Sequence, residues 1–234
     1  MLPGTLCDGR LFDPMLEIWS SMKVHRHIKV ASLHELLVDT RDWWNKQLST
    51  MPEQFDVLGF SLGSVLALQL LGIAPSRVRR LVLVAGNSGA GNSTHRERVC
   101  YQRTLWESEG PASVAAQMLA QASPNAATDD RLRQLVLDMA SQTPTTAFIA
   151  QGEVNANRMD SSQLLASWRG PLLLVSGAGD PWCGSDKQIL IRSFCPSARW
   201  SELPNCGHYI PLEQPRLLAK LTDSFFSEPD SPQR

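Results

Sequence analysis

Three side chains in this sequence have the types and the order that nucleophilic catalysis requires. Ser61 is the centre of a G-x-S-x-G motif, Asp180 follows an apolar run, and His208 lies in a short segment before the last helical pattern. A serine hydroxyl becomes a strong nucleophile when a histidine takes its proton and a carboxylate orients that histidine. The order serine, acid, histidine is typical of a nucleophile on a strand-to-helix turn. We therefore predict a catalytic triad of these three residues.

The G-x-S-x-G motif stands between a strand-like run and an apolar helical pattern. On so sharp a turn the residues two before and two after the serine lie against each other, so glycine is required at Gly59 and Gly63. The start of the helix directs backbone N–H groups at the serine, and the Leu62 N–H is the natural donor to an oxyanion. The motif alone also fits an ordinary turn of small residues. Its context favours a nucleophile at Ser61.

The acid and the base each have competing interpretations. Asp180 is followed by proline, a pair common in simple turns, and Asp186 is a rival acid whose position is typical of a helix N-terminus. Three of the other four histidines precede Ser61, and His95 lies in a helical segment. A single loop histidine is more often exposed than catalytic. The three elements in the correct order favour Asp180 and His208.

The elements that must position these side chains alternate along the chain. Strand-like runs occur at residues 27–31, 55–59, 80–85 and 171–177, with another near 199–203, and helical patterns include residues 39–51, 62–72 and 212–226. This alternation predicts an α/β fold with a mostly parallel sheet and helices on both faces.

The chain divides into a core, an insertion and a tail. The core domain comprises residues 1–87 and 169–226, a mostly helical insertion spans 88–168, and a disordered tail is expected at 227–234. Ligands of parallel sheets bind at the carboxyl ends of the strands, so we expect the insertion to act as a lid. The alternative is that its helices add only packing.

Composition excludes several classes of protein. The 234 residues suit one globular domain, and a net charge of -1 argues against a nucleic-acid partner. No apolar run reaches the roughly 20 residues that cross a membrane. Five scattered cysteines and the absence of a secretory signal indicate free thiols and a cytoplasmic location. The spacings of cysteine and histidine do not suit a metal, and no cofactor is expected.

Four segments together resemble the α/β-hydrolase superfamily over nearly the whole chain. GFSLG resembles the nucleophile elbow, GAGDPWC the acid loop, and NCGHYIPLEQP the histidine loop. LPGTLCD resembles the oxyanion loop, with Pro3 in place of the usual histidine. The resemblance implies an oxyanion hole formed by Leu62 and by either Thr5 or Leu6.

The resemblance implies a serine hydrolase that cleaves a carboxylic ester through an acyl-enzyme. The compact form is similar to small carboxylesterases, among them pimeloyl-acyl-carrier-protein methyl ester esterases. The expected partner is a small ester, with an acyl chain on a carrier protein as one form. An acyltransferase, a thioesterase or a lyase with the same triad stays open, as does a non-catalytic binding protein. The predicted pocket residues are Trp106, Met118, Phe148, Trp182 and Tyr209.

The resemblance also implies a deficit at the start of the chain. In this superfamily a central strand leads into the oxyanion loop, but here that loop begins at Pro3. We therefore expect this strand to be missing, with its neighbours left unpaired. Such a form is expected to be less stable and poorly active.

Overall fold

Four parallel strands form the sheet in the computed structural model of the chain, which describes residues 1–123 and 128–229. They are β1 (Phe55–Phe60), β2 (Val78–Val84), β3 (Leu172–Gly177) and β4 (Arg199–Leu203). Each strand pairs with the next in the order β1-β2-β3-β4. Because helices connect every pair, all four strands point the same way. This is the α/β fold that the sequence predicts.

Helices precede, connect and follow the strands. Two lie before the sheet, α1 (Asp13–Ser21) and α2 (Thr40–Leu48). Those between and after the strands are α3 (Leu62–Ile73), α4 (Ser93–Glu109), α5 (Pro111–Ala122), α6 (Asp130–Ser141), α7 (Thr145–Ala156), α8 (Ser162–Ser167), α9 (Ser185–Phe194), α10 (Ile210–Glu213) and α11 (Pro215–Phe226). Among the described helices none is long and apolar enough to span a bilayer.

The inner strands β2 and β3 are buried on both faces, whereas the edge strand β4 is partly exposed. Side chains alternate along β2, so that Val82 and Val84 join one apolar cluster while Leu81 and Leu83 join the other. The first cluster includes side chains of α1 and α11, and the second includes those of α2, α3 and α9. Parallel strands covered on both faces read as continuous apolar runs, which is why the sequence reveals them clearly.

The described part of the predicted insertion is helical. Helices α4 to α8 follow one another between β2 and β3, and α5 packs against both α4 and α6. The indole of Trp106 on α4 stacks on the Phe148 ring of α7, with the ring centroids 4.2 Å apart. These helices cover the carboxyl ends of the strands. Whether they move as a lid stays a prediction.

The predicted strand at residues 27–31 is wrong. The chain there is extended, but it forms no strand. Ala31 N–H donates to the Met1 carbonyl at 2.9 Å, and the Met1 amine donates to the Lys29 carbonyl at 2.7 Å. A strand needs a repeated ladder along a neighbour, and the neighbour here is too short to provide one.

The predicted helix at residues 212–226 is two helices in the structure. α10 ends at Glu213, and α11 begins at Pro215. Pro215 lacks an N–H and its ring disfavours a helical residue before it, so it begins a helix rather than continuing one. The break leaves Glu213 close to the loop that carries His208.

The start of the chain partly fills the position of the strand expected to be missing. Leu2 bridges β1 in parallel: its N–H donates to the Leu58 carbonyl at 2.8 Å, and its carbonyl accepts from Phe60 N–H at 3.0 Å. Towards the amino end of β1 a groove of about 570 Å³ lies between residues 25–29 and 54–56. The pairing is thus complete next to Ser61. The reduced stability and activity stay predictions.

The predicted tail lies only partly within the described residues. Residues 230–234 of the predicted disordered tail lie outside the described part of the chain. Glu228, in the described part, forms a two-pronged ion pair with Arg199 at 2.6 and 2.7 Å. Its carbonyl accepts from the Arg80 side chain. This ion pair connects residue 228 to the edge strand, and the disorder expected for the tail stays a prediction.

We expect Gly63→Ala to lower the free energy of unfolding by about 1–3 kcal/mol, because the added methyl would lie 2.1 Å from the Leu2 carbonyl oxygen. Gly72→Ala on the same helix is the control, since its methyl would meet only the Leu164 side chain at 3.6 Å. That change should be neutral or stabilise by roughly 0.5–1 kcal/mol. Urea unfolding followed by circular dichroism measures both. Equal effects of the two substitutions would contradict the contact.

Candidate active site

Ser61 lies on a strained turn between β1 and α3. Its backbone has φ 52° and ψ −113°, in a region that residues with a side chain rarely adopt. A methyl group added at Gly59 would lie 2.3 Å from the Gly63 carbonyl oxygen. The Ser61 N–H donates to the Val84 carbonyl of β2 at 2.9 Å. The two glycines therefore allow the close approach that the motif predicts, and the sheet fixes the turn.

Ser61, His208 and Asp180 form a continuous hydrogen-bonded chain. His208 Nε2 lies 2.9 Å from Ser61 Oγ, and Nδ1 lies 2.8 Å from Asp180 Oδ2. The carboxylate can only accept, so Nδ1 carries the proton and Nε2 accepts from the serine hydroxyl. The side chain of Asp180 is fully buried and that of His208 is 4% exposed. The structure brings together the three residues predicted from the sequence in the geometry of a base between a nucleophile and an acid.

Asp180 is held in its ionised form. Burial acts to raise the pKa of its carboxyl, but the His208 charge and hydrogen bond act to lower it, as do two backbone N–H groups. Those donors are Trp182 N at 2.8 Å and Cys183 N at 3.0 Å, both to Oδ1. The net effect places the Asp180 pKa below its ordinary value of 3.8. A carboxylate that stays charged can stabilise an imidazolium.

The acid and base loops meet because β3 and β4 are adjacent. Beyond the strands, Ala178 N–H donates to the Leu203 carbonyl at 2.9 Å, and Gly179 N–H to the Cys206 carbonyl at 2.8 Å. A methyl group at Gly177 would lie 2.2 Å from the Gly207 carbonyl oxygen. The two loops therefore pack backbone against backbone. This contact sets the separation of Asp180 and His208.

The histidine loop is also bonded to the helical insertion. His208 N–H donates to the carbonyl of Ala122, the last residue of α5, at 3.0 Å. Tyr209 N–H donates to Ser123 Oγ at 3.0 Å, and that hydroxyl donates to Glu213 Oε1 at 2.6 Å. The end of α5 thus holds the loop that carries the base. The sequence offers no motif for this contact.

Two backbone N–H groups near Ser61 have no acceptor in the described part of the chain. They belong to Leu62, the first residue of α3, and to Thr5. Leu6 N–H is already engaged, because it donates to Gln151 Oε1 at 2.9 Å. A methyl group at Gly4 would lie 3.3 Å from the Ser61 Cβ, so this loop lies against the nucleophile. Of the two alternatives from the sequence, Thr5 rather than Leu6 has a free donor.

A small cavity of about 60 Å³ opens beside Ser61. Three of the five predicted pocket residues line it, and two do not. The lining residues are Met118, Phe148 and Trp182. Trp106 stacks on Phe148, and Tyr209 is buried in the core beside Phe60, so neither lines this cavity; a role of either in substrate binding stays a prediction. Tyr209 is a core residue, whereas Trp106 is half-buried and packs against the core.

The polar wall of this cavity is not among the features predicted from the sequence. His95, Arg98 and Gln102 of α4 line it, as do Arg103 and Glu153. In the sequence α4 is a polar segment, which is typical of a solvated helix face. The signal available was the spacing of Arg98 and Gln102, four residues apart and so on one face of a helix. Without the fold nothing shows that this face points to Ser61.

His95 is held neutral next to a buried guanidinium. Arg158 Nη2 donates to His95 Nε2 at 2.9 Å, so the His95 proton lies on Nδ1, which donates to Asn92 Oδ1 at 2.6 Å. Burial lowers the His95 pKa to about 4, helped by the charges of Arg158, Arg98 and Lys187. The other donors of Arg158 bind uncharged oxygens. This part of the cavity wall is therefore electropositive.

One trio of described side chains has donor atoms close enough to share a metal ion. The donor atoms of Asp180, Cys183 and His208 lie within 4.8 Å of one another. The carboxylate and the imidazole are already bonded to each other, and burial raises the pKa of the Cys183 thiol. A protonated thiol is a poor ligand. This donor set therefore does not suit a metal ion.

The comparison with known families agrees with this geometry. Residues 13–221 match the model of the alpha/beta hydrolase family. The chain belongs to the α/β-hydrolase family.

Relatives and solved structures extend the match. A Bacillus subtilis protein provisionally named 2-succinyl-6-hydroxy-2,4-cyclohexadiene-1-carboxylate synthase is 26% identical over 78% of this chain and 72% of its own. The enol-lactonase of Burkholderia xenovorans has a TM-score of 0.80 at 16% identity, covering 97% of this chain and 90% of that one. An esterase of Thermogutta terrifontis has a TM-score of 0.79 at 17% identity, covering 96% and 87%. At such identities the structures show the shared fold.

The lowered pKa of His95 predicts a dependence of stability on pH. The unfolded chain binds a proton at His95 below about 6.5, whereas the folded protein binds it only near 4. The contribution of neutral His95 is therefore complete above pH 6.5 and is lost as the pH falls towards 4. We expect His95→Gln to show a smaller fall in Tm between pH 7 and pH 5 than the wild type. Thermal unfolding at both pH values tests this, with the exposed His27→Gln as control. If the Tm of His95→Gln falls as much as that of the wild type between these pH values, the prediction is wrong.

Proposed function

We propose that the protein is a serine hydrolase that cleaves a carboxylic ester of a small substrate. The observation that carries the proposal is the chain of two hydrogen bonds from Ser61 through His208 to the buried Asp180. Membership of the α/β-hydrolase family supports it. The esterase and the lactonase among the similar structures share the fold in which such a triad works.

In the first half of the reaction the ester acylates Ser61. Ser61 Oγ attacks the carbonyl carbon while His208 Nε2 takes the hydroxyl proton. The carbonyl oxygen becomes an oxyanion, and the N–H groups of Leu62 and Thr5 stabilise it. Asp180 stabilises the imidazolium and keeps Nδ1 protonated. The imidazolium then gives its proton to the leaving alcohol, and the acyl-enzyme forms.

In the second half water releases the acid. His208 takes a proton from a water molecule, whose oxygen attacks the acyl carbon. The same two N–H groups stabilise the second oxyanion. When it collapses, His208 returns the proton to Ser61 Oγ and the carboxylic acid leaves. No external cofactor takes part in this balance.

The cavity supports a short substrate. A volume of about 60 Å³ beside Ser61 holds only a few non-hydrogen atoms, so a long acyl chain needs movement of the insertion. The free thiols of all five cysteines support a cytoplasmic location, where reduced thiols persist. We therefore propose a small soluble ester as the principal substrate. A carrier-bound acyl chain is the longer alternative.

We expect Ser61→Ala to abolish covalent labelling by a fluorophosphonate probe and to lower kcat on p-nitrophenyl acetate by several orders of magnitude. Ser108→Ala, at an exposed serine of α4, is the control and should keep both properties. Mass spectrometry of the labelled peptide locates the adduct. A folded wild-type protein that the probe does not label would overturn the proposal.

We expect Asp180→Asn to lower kcat by about 10³–10⁴-fold, because an amide in this position favours the wrong imidazole tautomer. The substitution removes the charge with little change of volume, so circular dichroism should show an unchanged fold. Steady-state hydrolysis of the same ester measures the loss. Activity near that of the wild type would exclude Asp180 as the orienting acid.

One relative favours a second use of the same triad. The Bacillus subtilis protein has the name of a synthase rather than a hydrolase. In a lyase, His208 activated by Asp180 would abstract a proton without an acyl-enzyme. A protein that turns over a β-elimination substrate while Ser61 stays unlabelled by fluorophosphonate would favour the lyase. Acyl transfer, including from a thioester, would instead appear as an ester product when an alcohol is added.

A further inference from the structure

The guanidinium of Arg98 faces the catalytic cavity without an anionic partner. Its Cζ lies 5.0 Å from the centroid of the Trp182 ring, which in turn lies 5.0 Å from the His208 ring. Arg98 forms no ion pair and no side-chain hydrogen bond with any described residue. A cation–π contact with an indole attracts the guanidinium while leaving its N–H groups free to donate hydrogen bonds. The unpaired Arg98 guanidinium therefore contacts the same indole ring, Trp182, that contacts the catalytic base His208.

Gln102 supplies a second free donor on the same wall. It is one helical turn beyond Arg98 on α4, and both line the cavity that contains Ser61. Gln102 is 8% exposed, yet its side-chain amide has no hydrogen-bond partner in the described part of the chain. Its amide atoms are not enclosed, so a ligand or water in the cavity can supply the bond. The amide N–H₂ therefore adds a donor beside the guanidinium.

The other charges around the cavity do not neutralise Arg98. Arg103 pairs with Glu107 at 3.1 Å and so leaves the local charge unchanged. Glu153 is the one carboxylate among the lining residues, and its Oε2 accepts from Asn157 at 2.8 Å. Two cations oppose this charge, namely Arg98 and the buried Arg158, whose hydrogen bonds within the described residues all go to uncharged atoms. The charges around the cavity are thus more positive than negative, which favours the binding of an anion.

We infer that Arg98 and Gln102 bind a carboxylate of the substrate, so that the preferred ester carries a free carboxylate group. This inference rests on the proposed hydrolase function and names the class of its substrate. A guanidinium can bind a carboxylate with two parallel hydrogen bonds, which fixes the orientation as well as the position. Arg98 is then a substrate-binding residue that selects anionic esters and places their carbonyl at Ser61.

The test compares matched pairs of esters. Monomethyl succinate, glutarate and adipate are the anionic esters. Each is compared with a neutral methyl ester in which an isopropyl group replaces the carboxylate. For each pair, the selectivity is kcat/KM for the anionic ester divided by kcat/KM for the neutral ester. We expect Arg98→Met to lower this ratio by about tenfold or more, mainly through KM. Arg98→Lys should retain part of the preference, and Gln102→Leu should lose less than Arg98→Met. Arg96→Met, at an exposed position of the same helix, removes the same charge and should leave the ratio unchanged.

A binding measurement separates this inference from the proposed function. In Ser61→Ala and in the double variant with Arg98→Met, titration calorimetry with adipate reports binding without turnover. Binding that weakens about tenfold or more in the double variant supports the inference. An unchanged ratio and unchanged binding in a protein that fluorophosphonate still labels would overturn it alone. A wild type that the probe does not label would overturn the proposed function, whereas the calorimetry would still decide the anion site.

Discussion

The active site depends on a backbone turn that only two glycines allow. Ser61 adopts a positive φ because β1 must end and α3 must begin within one residue. Gly59 lies against Gly63, and Gly63 lies against the Leu2 carbonyl, so the elbow and the first loop of the chain are packed as one unit. That packing aims the serine hydroxyl away from the sheet and leaves the first N–H of α3 beside it. Thr5 comes to the nucleophile through the same contact.

The sheet then brings the other two catalytic groups to the same edge. β1, β3 and β4 are parallel, so the loops that follow their carboxyl ends lie at one edge of the sheet. Asp180 and His208 occupy adjacent loops whose backbones touch, and both side chains are shielded from water. In such surroundings hydrogen bonds hold an ionised carboxylate more firmly than in solvent. The apolar core therefore contributes to the chemistry as well as to stability.

The sequence predicts those features that local chemistry determines. The glycines around Ser61, the apolar strands and the order of the acid and base are local patterns, and the structure agrees with each. The predictions that fail depend on residues far away in the sequence. Residues 27–31 are strand-like in composition but lack a neighbouring strand of sufficient length. Trp106 and Phe148 have similar patterns, and only the fold decides which of them faces the cavity. The direction of Arg98 is equally invisible, because a charged helical residue is typical of solvent exposure.

The hydrogen bonds between the histidine loop and α5 determine which helices of the insertion can move without disturbing the active site. His208 and Tyr209 are fastened through their own backbone N–H groups to the end of that helix. A motion that carried α5 outward would pull the base from the nucleophile, so access by that route would switch the site off. Helix α7 is fastened as well, because its Gln151 accepts from the Leu6 N–H, next to the oxyanion donor of Thr5. An opening that preserves the site is therefore restricted to α4. If the insertion acts as the predicted lid, the polar helix α4 is the part whose movement would leave the catalytic residues in place.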